Sequence, residues 1–440
     1  MEGTRMARKS SCFILMMISA AAILMLAVPI PSAAQEGQPD YSGILWQRST
    51  LTGDWGCARN ELAKKGITFK STVTNIYQGN FTDGKDGDTD QRYSGSADYE
   101  MNLDFGKLGL WQRGFLKVRG MTGFRKSINS KAGSILPVNS NALFPTPDGK
   151  DTGLTDFLFM QFLSQRFGLL VGKMNTLGGD ANAYAHDYNT QFLNAALVVN
   201  PVTFRTVPYS GVGTGAIYLN EVMTYAFTVI DTEGSATKSG SGTVFHDGTT
   251  VATELRFKTC IAGLPGHQLF GGTWSNKNFT NLDQDGRLIL RKVLLPNRDI
   301  PLKTFKDSWC FYYNMDHYLF LKEGTTDQGL GVFARYGVSD GKANPIKYFA
   351  SFGIGGKGLI PGRCQDTFGA GYYHAWFSNQ LPNIVYKRYL HGNEQGVELY
   401  YNVALTPWMH LTPDLQIIEP GFKSVDSPVV VGGLRLVLDL

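Results

Sequence analysis

The chain has 440 residues, of which 18% are charged, 12% are aromatic and 51 are glycine. Charge runs below and glycine above the usage of ordinary soluble domains, and the preponderance of Tyr and Phe among the aromatics suits strands better than helices. A formal net charge of +4 over this length gives no electrostatic case for nucleic-acid binding.

At the N-terminus, Arg5, Arg8 and Lys9 precede an apolar run over residues 12–30, and Ser32, Ala33 and Ala34 supply small residues after it. This is the layout of a secretory signal peptide cut after Ala34; an uncleaved membrane anchor is the alternative that the length of the run allows. Cleavage removes three basic residues and Glu2, leaving a formal +2. Beyond residue 35 no stretch approaches the ~20 apolar residues of a spanning helix. The exported chain is therefore either soluble or inserted as a barrel. Cys57, Cys260, Cys310 and Cys364 follow the leader, widely spaced and never as C-x-x-C. A zinc site is not expected; single thiols are, with a disulfide left open.

Residues 35–66 read as an N-terminal periplasmic segment with one short helix. In DWGCARNELAKKG, Asp54 is placed to cap a helix reaching Lys65, and Gly66 to stop it. From residue 67 to 440 the pattern has period two. Residues 67–75 put Ile67, Phe69 and Val73 opposite Lys70, Thr72 and Thr74. Residues 99–105 set Tyr99, Met101 and Leu103 against Glu100, Asn102 and Asp104. The same alternation runs through 115–119, 223–229, 251–257, 330–336, 397–405, 409–417 and the terminal GGLRLVLDL.

Period two has two physical solutions. In a soluble sandwich the apolar face is the core; in an outer-membrane barrel it faces lipid and the polar face lines a wet lumen. The secretion signal, the full charges at mid-strand and the aromatics at segment ends (Trp111, Trp309, Tyr372, Tyr373, Trp376, Tyr400, Tyr401, Trp408) favour the barrel, the aromatics being read as an interfacial girdle. Short turns such as 405–408 alternate with long polar loops at 126–151, 231–248 and 276–307. Loop 126–151 is the candidate to fold inward and narrow a channel; a plain surface loop is the alternative.

Several ordered segments carry a resemblance. LTGDWGCARNELAKKGITF (51–69), NTQFLNAAL (189–197), SWCFYYNMDHYLF (308–320), QGLGVFARYGVSDG (328–341), the glycine-rich 350–378 and ELYYNVALTPWMHLTPDLQIIEPG (398–421) together resemble the carbohydrate-selective porin family, the OprB-like porins. The resemblance implies an all-β, transmembrane antiparallel β-barrel of sixteen strands with a short N-terminal helix in the outer membrane of a diderm bacterium. It also implies passive diffusion of sugars, glucose-like monosaccharides among them. A general non-selective porin is the alternative, and a secreted lectin-like sandwich a more distant one. Sugars, outer-membrane lipids, lipopolysaccharide and the barrel-assembly machinery are the partners implied; the oligomeric state stays open, and no cofactor or metal is expected. Three departures stand out: Cys57 replaces a second glycine, Met160 sits where a lumen-facing acid is expected, and the chain ends in Leu440 rather than an aromatic.

A sugar is neutral and densely hydroxylated, with apolar C–H faces, so a selective path needs paired donors and acceptors beside an aromatic surface, each binding weakly. Lumen parity nominates Lys70, Glu100, Asp104, Lys117, Arg119, Glu254, Arg256, Arg335, Glu398, Arg435 and Asp439 as channel-lining residues. If the last strand pairs with the first, Arg435 and Asp439 come near Lys70. The alternative is that these charges only keep the lumen wet and pair with one another. The acidic 83–90 stretch lacks a full calcium loop, and GIGGKG (353–358) lacks the phosphate-loop spacing. His186-Asp187 and His246-Asp247 are the pairs on which an enzyme reading would have to rest, but no nucleophile motif accompanies them.

Overall fold

The computed structural model describes residues 39–440 apart from 83, 86–88, 177–179, 241, 243, 296–297, 383–387 and 426–427. The expected signal peptide lies outside the described residues. The strands are β1 (Ile67–Asn80), β2 (Gln91–Asp104), β3 (Gly114–Arg125), β4 (Thr152–Phe162), β5 (Phe167–Asn175), β6 (Ser210–Leu219), β7 (Met223–Asp231), β8 (Thr249–Ile261) and β9 (Leu264–Ser275). After a small hairpin of β10 (Phe279–Thr280) and β11 (Thr304–Phe305) come β12 (Ser308–Leu321), β13 (Gly329–Ser339), β14 (Ile346–Lys357), β15 (Thr367–Phe377), β16 (Asn393–Thr406), β17 (Met409–Glu419) and β18 (Val429–Asp439). Leaving out the hairpin, sixteen antiparallel strands close into one barrel in chain order, with β18 paired to β1.

The direction of the pleat distinguishes a barrel in lipid from a sandwich in water. Thr74, Ser96, Ser351, Thr412 and Gln416 are buried, whereas Tyr77, Phe157, Val171, Phe270, Phe352 and Ile417 stand out on the exterior. A soluble sandwich would bury the second set, and covering so many outward rings with water would cost about 25 cal/mol per Å² of apolar surface. The apolar parity faces outward, as a lipid-exposed band requires.

One end of the barrel carries tight turns, such as Ile261–Leu264, and the other carries the long loops. Ala262 and Gly263 at that turn both have positive φ (54° and 79°), the backbone of a two-residue type I′ hairpin. Helix α1 (Ala58–Lys64) sits at the tight-turn end, below the seam between first and last strands. Asp54 does not cap it with its side chain. Trp55, Gly56 and Cys57 all take positive φ, which turns the chain between Asp54 and the helix, and only the Asp54 carbonyl accepts from Arg59 N (2.9 Å). Cys57 occupies φ 75°, a position that suits glycine, and Gly66 (φ 90°) ends the helix as expected.

Arg59 ties that helix to the seam. Its Nη1 donates to Leu440 O (3.1 Å) and Thr50 Oγ1 (2.9 Å), and its Nη2 to Phe69 O (2.8 Å). The guanidinium lies 4.0 Å from the Tyr41 ring centroid and 4.9 Å from that of Trp55. Burial pulls its pKa below the ordinary arginine value.

The girdle needs correction. Trp111, Trp309 and Trp376 are exposed at strand ends, but Tyr373 and Tyr400 are buried on the lumen parity. Trp408 is also buried and donates its Nε1 to Leu45 O (2.7 Å). In the doublets Tyr372-Tyr373 and Tyr400-Tyr401, the strand sends one ring each way. The four cysteines of the described chain are free thiols.

Candidate functional site

The lumen is narrowed by loops, and each is held by buried polar side chains of the wall. Loop 126–151 folds inward, burying Ile128, Ala132, Leu136, Val138 and Asn141. Its principal anchor is Glu394 on β16. Oε1 accepts from Ser134 Oγ (2.7 Å), Leu136 N (3.1 Å) and Tyr373 Oη (3.3 Å), while Oε2 accepts from Ile135 N (2.6 Å) and Gly421 N (3.0 Å). Further along, Gln416 Nε2 donates to Val138 O (2.8 Å) and Asn141 Nδ2 to Ser96 Oγ (2.8 Å).

A second infolded loop, 176–209, was not singled out by periodicity. It contains α2 (Ala195–Val198), whose cap is Asn194, and it buries Tyr184, Phe192, Leu193 and Leu197 inside the barrel. Glu398 on β16 accepts from Leu193 N (2.5 Å) and Asn194 N (2.9 Å). Arg335 donates to Leu197 O (2.9 Å), pairs with Asp180 (2.7 Å) and also reaches Ala185 O. Arg435 donates to Tyr188 O (2.8 Å) and Gln191 O (2.5 Å). The glycine-rich strands make room for this loop. A Cβ on Gly355 would lie 2.7 Å from Tyr184 Cβ, and one on Gly371 would lie 2.9 Å from a Leu197 methyl. GIGGKG is thus part of a concave bed rather than a phosphate loop. On the opposite wall, Lys173 Nζ donates to Ser235 O (2.8 Å) and Lys238 O (2.6 Å), drawing in loop 232–248.

Between these loops and the β1–β3 wall lies a cavity of about 410 Å³. The wall contributes Lys70, Thr72, Asp98, Glu100 and Arg119; the loops contribute Ser140, Phe144, His186, Asp187, Tyr188 and Tyr209. Arg119 donates to Asp98 Oδ1 through Nε (3.1 Å) and Nη2 (2.7 Å), and Lys117 pairs with Glu100 at 3.1 Å beside it. Facing these pairs, the Phe144 and Tyr209 rings stack with centroids 4.2 Å apart, and Tyr188 follows at 6.0 Å. Asp98 Oδ2 and Ser140 Oγ are buried polar atoms without a hydrogen-bond partner among the described residues. Such atoms call for water or a solute hydroxyl.

The nominated residues divide accordingly. Lys70, Glu100 and Arg119 line the cavity, and Lys117 supports it through Glu100. Asp104 accepts from Gly106 N (3.0 Å) and Lys107 N (3.2 Å) in the β2–β3 turn. Glu254 accepts from Tyr312 Oη (2.6 Å), and Arg256 lies 3.9 Å from Asp316. Arg335, Glu398 and Arg435 spend their polar atoms on the second loop. Asp439, opposite Thr72, accepts from its hydroxyl (2.6 Å), two residues from Lys70, whereas Arg435 pairs in register with Ile76, further from it. Met160 does face inward, opposite Phe115 on β3; the acid of its strand is Asp156, buried earlier in β4. Asp187 is occupied by its own turn, accepting from Asn189 N (2.9 Å) and Thr190 Oγ1 (2.7 Å), while His246 and Asp247 pair at 3.1 Å on an exposed loop.

Sequence reasoning missed Asp98, Ser140, Phe144, Tyr188 and Tyr209. Asp98 had the lumen parity of Glu100 and was within reach of the same argument. The others sit in loops, where no period marks which residue faces inward. Among groups at the tight-turn end, Asp366 is opposed by partial burial, yet hydrogen bonds from Arg363 Nε (2.8 Å), Tyr401 Oη (2.7 Å) and Ala404 N (3.0 Å) hold its carboxyl below the ordinary carboxylate value.

Residues 88–440 match the profile described as carbohydrate-selective porin, OprB family. The chain belongs to that family. It is 23% identical to Porin B of Pseudomonas aeruginosa, over 92% of this chain and 94% of that one. Its fold is similar to the high-pH structure of Pseudomonas putida OprB, with a TM-score of 0.77 at 22% identity over 90% of this chain and 99% of the other. OmpT, an outer membrane protein of Vibrio cholerae, matches at a TM-score of 0.50 and 13% identity, over 85% of this chain and all of that one. The protein is an outer-membrane carbohydrate porin of a bacterium.

Proposed function

We propose that the cavity between the β1–β3 wall and the two infolded loops is the selective step for sugars of monosaccharide size. The carrying observation is the juxtaposition of the Arg119–Asp98 and Lys117–Glu100 pairs with the stacked Phe144 and Tyr209 rings. A pyranose presents hydroxyls at its rim and C–H groups on its faces, so it can exchange hydrogen bonds with the ion pairs while a face slides over the rings. Fixed charges of both signs close together leave little net field to attract either sign of ion. Because water can replace the sugar at each position, binding stays weak and passage stays passive.

On this reading the protein is a channel with no catalytic step. Residues 1–34 are a removed leader, 35–66 a periplasmic segment, and 67–440 the barrel. Lipid and lipopolysaccharide surround the apolar exterior, and the assembly machinery reads the final strand. Liposome swelling with glucose, sucrose and amino acids of similar size tests the selective step. Glucose should enter faster than sucrose and faster than the amino acids; equal rates would leave a general porin.

A further inference from the structure

We propose that the loop joining β9 to β12 carries a docking surface for the phosphorylated headgroups of lipopolysaccharide in the outer leaflet. The proposal rests on the outer-membrane location and is independent of the sugar path.

The loop contains α3 (Gly286–Leu294), started by Asp285, whose Oδ1 accepts from Arg287 N (2.9 Å). At about 100° per residue, Ile289, Leu290 and Leu294 fall on one side of the helix and Arg287, Arg291 and Lys292 on the other. The helix has no extensive contact with any other element. Leu290, Leu294 and Leu295 are 51%, 67% and 43% exposed, and Arg287, Arg291, Lys292 and Arg298 are exposed beside them. None of these four cations makes an ion pair among the described residues.

An apolar helix side left in water is unfavourable, and unpaired cations on the other side are unexplained if the loop merely covers the barrel. A short helix with leucines on one side and Arg and Lys on the other is suited to lie in an anionic lipid interface. Charge supports this occupant. Residues 276–307 hold seven basic against four acidic residues, in a chain whose formal charge is +2 once the leader is removed, so the loop carries more positive excess than the whole mature chain. Position supports it too. The loop rises from the long-loop end, which faces outward in such barrels. The two strands it joins place Phe270, Trp309 and Phe311 on the lipid-facing exterior. A neutral sugar entering the pore would use neither the leucines nor the unpaired cations.

The test uses full-length protein in detergent, with fluorescent bis-phosphorylated lipid A and its dephosphorylated form as probes. Each cation at an anionic lipid surface contributes about fivefold, so Arg287→Gln, Arg291→Gln and Lys292→Gln together should weaken binding of the phosphorylated probe roughly a hundredfold. The same triple variant should leave the dephosphorylated probe, the heat-modifiable gel shift and the glucose conductance as in wild type. Leu290→Ser with Leu294→Ser should weaken both probes. Binding of the phosphorylated probe that is unchanged in the triple variant would overturn the proposal. So would equal affinity of wild type for both probes, which would indicate apolar adsorption alone. A self-association lost in the triple variant while lipid A binding persists would reassign the surface to a second copy of the chain and also overturn it.

Discussion

Replacing Glu394 with glutamine changes one atom and should move a pore wall. In the wild type, five donors converge on the two carboxylate oxygens, three from loop 126–151, one from Tyr373 and one from Gly421. Glutamine must turn its NH₂ toward one of the two donor sets. Turned toward the Oε2 side, it leaves Ile135 N and Gly421 N without an acceptor. Turned the other way, Ser134 and Tyr373 can rotate their hydroxyls to accept, but Leu136 N is stranded. A buried N–H left unpaired costs about 1–3 kcal/mol, and the surviving bonds fall from charge-assisted to neutral strength. The cheaper arrangement therefore loses about 3 kcal/mol of loop docking, roughly two powers of ten in the docked-to-undocked ratio. Loop 126–151 supplies Ser140, Leu143 and Phe144 to the cavity, so undocking widens it. Single-channel conductance should rise, and in liposome swelling the preference for glucose over sucrose should shrink. The strand ladder is untouched, so the heat-modifiable gel shift should persist. A variant that keeps that shift together with wild-type conductance and wild-type preference would refute the reasoning.

Asp98→Asn removes the charge that faces Arg119 and should weaken glucose binding, read from current noise, by about tenfold; unchanged affinity would take Asp98 out of the sugar path. Gly371→Val places a side chain against Leu197, an overpacking worth about 1–3 kcal/mol, and should expose loop 176–209 to protease in outer-membrane preparations where wild type is protected. Arg59→Leu leaves Leu440 O and Phe69 O, both only half-buried, without the donors that clamp the seam, at about 1 kcal/mol each. The temperature of the heat-modifiable transition should fall by several degrees, with conductance at room temperature unchanged.

The sequence alone determined the class of the molecule. Where one side of a strand meets lipid and the other meets polar groups, alternation is forced by the pleat, and every segment read that way, from 67–75 to GGLRLVLDL, is a strand of the barrel. The terminal strand closes against β1, with Leu434 outside and Arg435 inside, as parity required. The stop at Gly66 and the inward course of loop 126–151 were also legible, the first from a local backbone need and the second from length and position. Tertiary structure decided the rest. Strand β15 reads TFGAGYYHAWF, and its inward positions are Thr367, Gly369, Gly371, Tyr373, Ala375 and Phe377, where only Thr367 and the Tyr373 hydroxyl are polar. The reason is that Phe192 and Leu197 of the second loop pack there, so on that wall the lumen side is itself a hydrophobic core and the alternation disappears. The same packing turns Arg335, Glu398 and Arg435 from charges facing open water into anchors for loop backbone. Strand parity specifies which side a residue faces; what meets it on that side depends on loops distant in sequence, and only the folded chain brings them together.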